Sequence, residues 1–180
     1  MLPMGRIWGT APDERLLYFP CDRFIGTFDD SYYRGISIQA NPKTIFRWLC
    51  QMRMAPYSYD WIDNFGRKSP RSLTPGLEEL AIGQKVMSIF ELIDFVPNEQ
   101  ITLRIKEKLT LKIFGDPIVS YMIIPKSDRN SRLLVKLILR PPSGLLGRLL
   151  RFIFSWGDLI MMRRQLLNFK ELSEQMPESV

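Results

Sequence analysis

Histidine is absent from this chain of 180 residues. That absence excludes a Ser-His-Asp triad, a Cys-His dyad and every histidine-based zinc site. Cysteine is scarce: Cys21 and Cys50 form no CxxC pair, so no thiolate metal site is expected either. The two could form one disulfide, but nothing else suggests secretion. The first twenty residues carry Arg6, Asp13, Glu14 and Arg15 and lack a continuous apolar stretch, so a reduced, cytoplasmic setting is expected. Long apolar runs are missing as well. The nearest, Leu145 to Met162, is broken by Arg148, Arg151 and Asp158, which argues against a spanning helix. There is no internal repeat or low-complexity tract, and no metal or cofactor is expected.

What remains has the make-up of one globular unit, with 46% hydrophobic and 24% charged residues. The net charge of +6 is scattered in short clusters: Arg67, Lys68 and Arg71; Lys106 and Lys108; Arg148 and Arg151; Arg163 and Arg164. A nucleic-acid binder concentrates its cations on one stripe among exposed aromatics, so the scatter weighs against such a partner. Composition does not address oligomeric state.

Residues 1–31, punctuated by Pro3, Pro12, Pro20 and Gly26, read as an irregular arm. Residues 32–176 read as one domain and 177–180 as a tail. Tyr32 to Ile38 has strand composition, with Ile36 and Ile38 on one face. Asn41-Pro42 supplies an N-cap and a first-turn proline for a helix over Lys43 to Met52. A second short helix is expected over Tyr57 to Asn64. From Gly83 the period changes to two. Val86 to Val96 reads as a bent or divided strand, because both its faces are apolar. Ile101, Leu103 and Ile105 alternate with polar residues, as do Leu109, Leu111 and Ile113. Ile118 to Ile124 follows, and then Leu133, Val135, Leu137 and Leu139, which read as a half-buried strand. Short turns at Pro97-Asn98-Glu99 and at residues 126–130 make the set an antiparallel meander. After Pro141-Pro142, Ser143 is placed to cap a helix running to about Gln175. On it Leu145, Leu149, Ile153, Trp156 and Ile160 share a face with Leu146, taken as the core side, while Arg148, Arg151, Ser155 and Asp158 lie opposite.

This order of elements predicts an α+β architecture in which a curved antiparallel sheet wraps a long C-terminal helix. It resembles the helix-grip fold of the SRPBCC superfamily, which includes START lipid-transfer domains, the birch-pollen allergen family and polyketide cyclase-like proteins. The resemblance spans about residues 32 to 172. It is carried by Ile36 to Leu49, which looks like the opening strand, proline and first helix, by Ala81 to Val86, and by the terminal helix. The segment Arg53 to Arg71 is similar to a bacterial subgroup of the superfamily that has no established reaction. The resemblance implies a cavity between the concave face and the terminal helix, of the kind used for lipids, polyketides and other apolar compounds.

In such a cavity several residues are candidates for chemistry. Tyr57, Tyr59, Trp61, Asn64 and Arg67 would form a polar cluster at its mouth. Asp60 and Asp63, three apart on a helix, are candidate general bases, since desolvation raises a carboxyl pKa. The structural alternative pairs Asp63 with Arg67 and Asp60 with Arg71. Glu91, beside Phe90, is a third candidate carboxylate, with an exposed edge position as its alternative. Tyr121 is a candidate hydrogen-bond donor. Leu149, Ile153, Trp156 and Ile160 would line the helix side. Arg163, on the same helical face, would point inward and need Glu91, Asp60 or Asp63 as a partner, unless the helix has by then cleared the sheet. Three functions follow: a holder of an apolar small molecule, a cyclase- or dehydratase-type enzyme with a cavity carboxylate, or a surface that binds protein, RNA or a membrane. Peripheral membrane contact is suggested by Arg148 and Arg151 beside a very apolar helix face.

Overall fold

The computed structural model of this chain describes residues 5–26, 30–63, 66–140 and 143–176, with the side chains of Asp63 and Leu146 outside that description. The arm opens with strand β1 (Ile7–Trp8), followed by two short 3-10 turns, Glu14–Leu16 and Pro20–Phe24. Strand β2 (Asp30–Ile38) leads to helix α1 (Pro42–Cys50). The N-cap works as its sequence predicts: the Thr44 amide donates to Asn41 Oδ1 at 2.8 Å, with Pro42 in the first turn. Helix α2 is a single turn, Asp60–Asp63, shorter than expected. The apolar run after Gly83 is divided, as both-sided burial required. It gives β3 (Lys85–Val86) and β4 (Phe90–Val96), separated by Met87 and Ser88 in left-handed conformation.

Strand β5 (Gln100–Ile105) is followed by helix α3 (Lys108–Phe114), where alternation of Leu109, Leu111 and Ile113 had predicted a strand. Glu107 decides the matter. Its carboxylate accepts from the amides of Leu109 and Thr110 at 2.9 and 2.6 Å, an N-cap that a strand could not use. Strands β6 (Ile118–Ser127) and β7 (Asn130–Leu139) form a tight hairpin, and helix α4 (Gly144–Glu174) closes the chain. Ser143 occupies the N-cap position of α4 without a side-chain cap bond; Pro141 and Pro142 lie outside the described residues.

The seven strands form one sheet in the order β1-β2-β7-β6-β5-β4-β3, antiparallel except for the β1–β2 pair. The inner face carries Ile38, Leu92, Ile101, Leu103, Val119, Tyr121, Leu133, Val135 and Leu137, packed against Trp48 and Leu49 of α1 and Leu166, Phe169 and Leu172 of α4. The meander and the inward parity of β5 and β7 agree with the sequence reading.

The outer face does not. Strand β7 is buried on both sides, because the arm crosses the outer face and seals a second apolar cluster there: Phe19, Cys21, Tyr33, Ile118, Leu134 and Ile138. Buried ion pairs fasten it. Arg132 meets Glu14 at 2.7 Å, and Lys136, 6% exposed, meets Asp22.

Cys21 and Cys50 are both free and buried. Burial pushes their thiols up to about 11 and about 12 respectively. Neither is therefore expected to react with a thiol reagent at neutral pH in the native protein, whereas both should titrate in denaturant. Rapid native labelling of either would show that its cluster opens.

Candidate functional site

Because side chains alternate along β2, Tyr32, Arg34, Ile36 and Ile38 share the inner face. Three of these suit an apolar interior, and Arg34 does not. Its guanidinium, 1% exposed, donates to Asp158 Oδ2 at 2.6 Å, to the Gly5 carbonyl at 2.8 Å and to the Tyr33 carbonyl at 2.9 Å. A charge beneath a helix requires such a partner and such bonds. Burial raises the Asp158 carboxyl above its ordinary range, and Arg34 opposes that rise.

Two turns further along α4, Gln165 ties three elements together. The Tyr121 hydroxyl donates to Gln165 Oε1 at 2.8 Å, and Gln165 Nε2 donates to the Pro56 carbonyl at 2.6 Å. Full desolvation raises the Tyr121 hydroxyl strongly. Sulfur surrounds this group, with Met87 Sδ at 3.4 Å and Met52 Sδ at 3.8 Å from Gln165, and Met162 Sδ at 3.8 Å from Tyr121. Asn168 holds the next residue, donating to the Tyr57 carbonyl at 2.7 Å.

Tyr57 is a non-glycine residue at φ 57°, a conformation that costs about 1–2 kcal/mol and persists only where packing enforces it. Here its ring is wedged between Trp48 and Phe169, with centroids 6.1 and 5.5 Å away. Its hydroxyl is buried with no hydrogen-bond partner among the described residues, and so is the indole N–H of Trp48. Burial pushes the Tyr57 hydroxyl up to about 12.

The expected site residues are distributed differently. Tyr57 and Tyr121 lie inside, and Phe90 is half-buried against the same core. Tyr59 is half-buried, while Trp61 and Arg67 are exposed. Asp60 is not paired with Arg71; it accepts from the Ser69 amide at 2.9 Å and from the Ser69 hydroxyl, closing the loop after α2. Arg71 pairs with Glu171. Asn64 and the Asp63 side chain lie outside the described residues. Glu91 takes the outer parity, opposite Leu92, and pairs with Lys106.

The largest correction concerns α4. Leu149, Ile153, Trp156 and Ile160, expected to face the sheet, face outward and are exposed, while Ser155 and Asp158 face in. Arg163 shares the outward face, its guanidinium over the Trp8 ring at 5.8 Å, and pairs with neither Asp60 nor Glu91; the Asp63 side chain lies outside the described residues. The helical wheel was sound and its polarity inverted. A straight helix has one inward face, and Leu166, Phe169 and Leu172 in the second half set it. Followed back by threes and fours, that face passes through Met162, Asp158 and Ser155. Turning Leu149 inward would expel Phe169.

Arg34, Trp48, Asp158 and Gln165 were missed. Signals existed for two of them. Arg34 has the parity of Ile36 and Ile38, and Asp158 is the only carboxylate between Gly144 and Lys170.

Two grooves lie away from this interior. One, of about 530 Å³, sits at the C-terminal end of α4 between Gln39, Asn41, Arg129 and Ser173. The other, of about 560 Å³, lies between the arm at Tyr18 and the outer side of β4–β6, at Val96, Gln100 and Met122. No set of residues suited to a metal ion occurs among the described residues, and no helix among them is long and apolar enough to cross a membrane.

The sheet order, with one long helix across its inner face, defines a helix-grip protein. Solved structures share the fold. A truncated norcoclaurine synthase from Thalictrum flavum matches with a TM-score of 0.52 at 8% identity, over 85% of this chain and 98% of that one. A Chromobacterium violaceum protein matches at 0.51 and 13%, over 81% and 98%. A Mesorhizobium loti protein matches at 0.50 and 12%, over 83% and 100%. No protein-family profile and no curated protein matches the sequence. At these identities the likeness establishes the fold alone.

Proposed function

We propose that this chain is a binding module of the SRPBCC type for an apolar small molecule, lipid- or polyketide-like, held between the inner face of the sheet and α4. The observation that carries the reading is the pair of buried donors without a partner among the described residues, Tyr57 Oη and Trp48 Nε1, beneath α4. Buried polar groups are nearly always hydrogen-bonded, and a core built for stability alone would use phenylalanine at position 57. A ligand oxygen beside Tyr57 would complete its donor. In this structure the buried core residues of the sheet, α1 and α4 pack against one another. The ligand would take space now held by Met52, Met87 and Met162, whose flexible thioethers repack at low cost.

The binding reading is favoured over an acid–base enzyme by the state of three carboxylates among the described residues. Asp158 is held by Arg34, Asp60 by Ser69 and Glu91 by Lys106. None is free beside a tyrosine hydroxyl, the arrangement such chemistry needs.

Native mass spectrometry with organic extraction, followed by titration with a fluorescent fatty acid, tests the proposal. A saturable one-to-one complex is expected. Tyr57→Phe should weaken it about five- to tenfold, the worth of one hydrogen bond, while leaving the ligand-free fold as stable or slightly more stable. Unchanged affinity in Tyr57→Phe, or no saturable binding, would sink the idea. The same variant has a pH signature. The native state holds the Tyr57 proton more tightly than the unfolded chain, so this contribution to stability is complete below about pH 10 and is lost as pH rises through about 12. Tyr57→Phe should flatten that alkaline decline.

A further inference from the structure

The inverted polarity of α4 leaves a surface without a partner. Leu145, Leu149, Phe152, Ile153, Trp156 and Ile160 recur at three- and four-residue spacing on its outward side; Leu145 is 77% and Phe152 64% exposed. From Leu145 to Ile160 the stripe is about 22 Å long at 1.5 Å per residue. Isolated exposed apolar residues need no explanation, but a continuous stripe on one helix does. Its charge has a single sign. Arg148 stands beside one end and Arg163 and Arg164 at the other, all exposed. The only carboxylate between Gly144 and Lys170, Asp158, is turned inward onto Arg34.

We propose that this outward face of α4 docks in the plane of an anionic lipid bilayer. Charge selects the partner. A second copy of the chain would bring Arg148, Arg163 and Arg164 against their equivalents with no carboxylate on either face, and a desolvated guanidinium without a counter-ion is costly. An anionic leaflet supplies that counter-charge along its whole surface. Between its cations the stripe offers one hydrogen-bonding group, the Trp156 indole. Protein interfaces carry about one hydrogen bond per 100–200 Å², whereas a bilayer accepts an apolar face with a single interfacial tryptophan. The proposal rests on α4 alone and stands whether or not the interior holds a ligand.

Flotation of the full chain with vesicles tests it, using phosphatidylcholine alone and phosphatidylcholine with about 30% phosphatidylserine. Binding to the anionic vesicles is expected, at least tenfold weaker on the neutral ones and lost at high salt, with a blue shift of tryptophan emission. Arg148→Glu/Arg164→Glu should reduce binding tenfold or more. Phe152→Ser/Ile153→Ser should do the same through the apolar term. All four positions are exposed, so thermal unfolding should be unchanged; a misfolded double variant is replaced by Phe152→Ser alone. Equal binding to both vesicle types, or to neither, overturns the proposal. So does a concentration-dependent dimer lost in Ile153→Ser without vesicle binding, which would assign the face to a second copy. Capture by an acidic polypeptide without vesicle binding overturns it equally.

Discussion

Asp158→Asn should lower the stability of the fold by about 3–5 kcal/mol, read from the urea midpoint at constant slope. The substitution is nearly isosteric, so the cost comes from what it abandons. Arg34 remains, 1% exposed, without its anion and with only neutral acceptors: the carbonyls of Gly5 and Tyr33 and the amide oxygen of the replacement side chain. The pair as a unit behaves differently. Burial raises the Asp158 carboxyl in spite of the adjacent guanidinium, so desolvation of the acid outweighs the attraction that Arg34 returns. Replacing both, as Arg34→Met/Asp158→Leu, should therefore restore most of the lost stability or exceed that of the parent. A double variant as unstable as Asp158→Asn would show that the pair's hydrogen bonds to the arm, and not its charge balance, hold this region. The comparison bears on function, because a polar pair kept at net cost beneath α4 fixes the rotation of that helix. The apolar double variant would lose one of the constraints that keep Leu149 outward, with Leu166, Phe169 and Leu172 still in place, and altered quenching of Trp156 would report any rotation of the helix.

Deletion of residues 1–26 should abolish cooperative unfolding altogether. The arm covers Tyr33, Ile118, Leu134 and Ile138 on the outer face and brings Asp22 to Lys136 and Glu14 to Arg132. Its loss would expose a contiguous apolar face and strip the anion from a nearly buried lysine, penalties that each approach the whole stability of a domain. A smaller lesion measures the same contact. Phe19, fully buried, packs edge-on against Tyr33 at 6.2 Å, and Phe19→Ala should cost about 3–5 kcal/mol. A truncated chain that keeps the parental midpoint would make the arm an accessory of an independent domain, the organisation that its irregular sequence suggests.

Much of the fold was legible because local chemistry and pattern agreed. Asn41-Pro42 starts α1 wherever the helix is put, and Leu133, Val135, Leu137 and Leu139 face inward because side chains in a strand alternate. Helix α3 was misread because Leu109, Leu111 and Ile113 satisfy period two, while the deciding group, Glu107, sits outside the pattern as a cap. The candidate site was less legible. Tyr57 and Tyr121 were found as aromatic hydroxyls in suggestive places. What makes them a site, the unpartnered Tyr57 hydroxyl and the Tyr121–Gln165–Pro56 chain, depends on residues more than forty positions apart in sequence.

The first and last helices, the antiparallel meander and the inward parity of β5 and β7 were determined by the sequence alone, since each follows from neighbours within one turn or one strand; helix α3 and strand β1 were not. Which side of α4 meets the sheet was a tertiary decision. Its first half is apolar around most of its circumference, so periodicity names a stripe without saying where it points. Leu166, Phe169 and Leu172 inside, with Arg34 demanding Asp158, turned Leu149 and Trp156 outward.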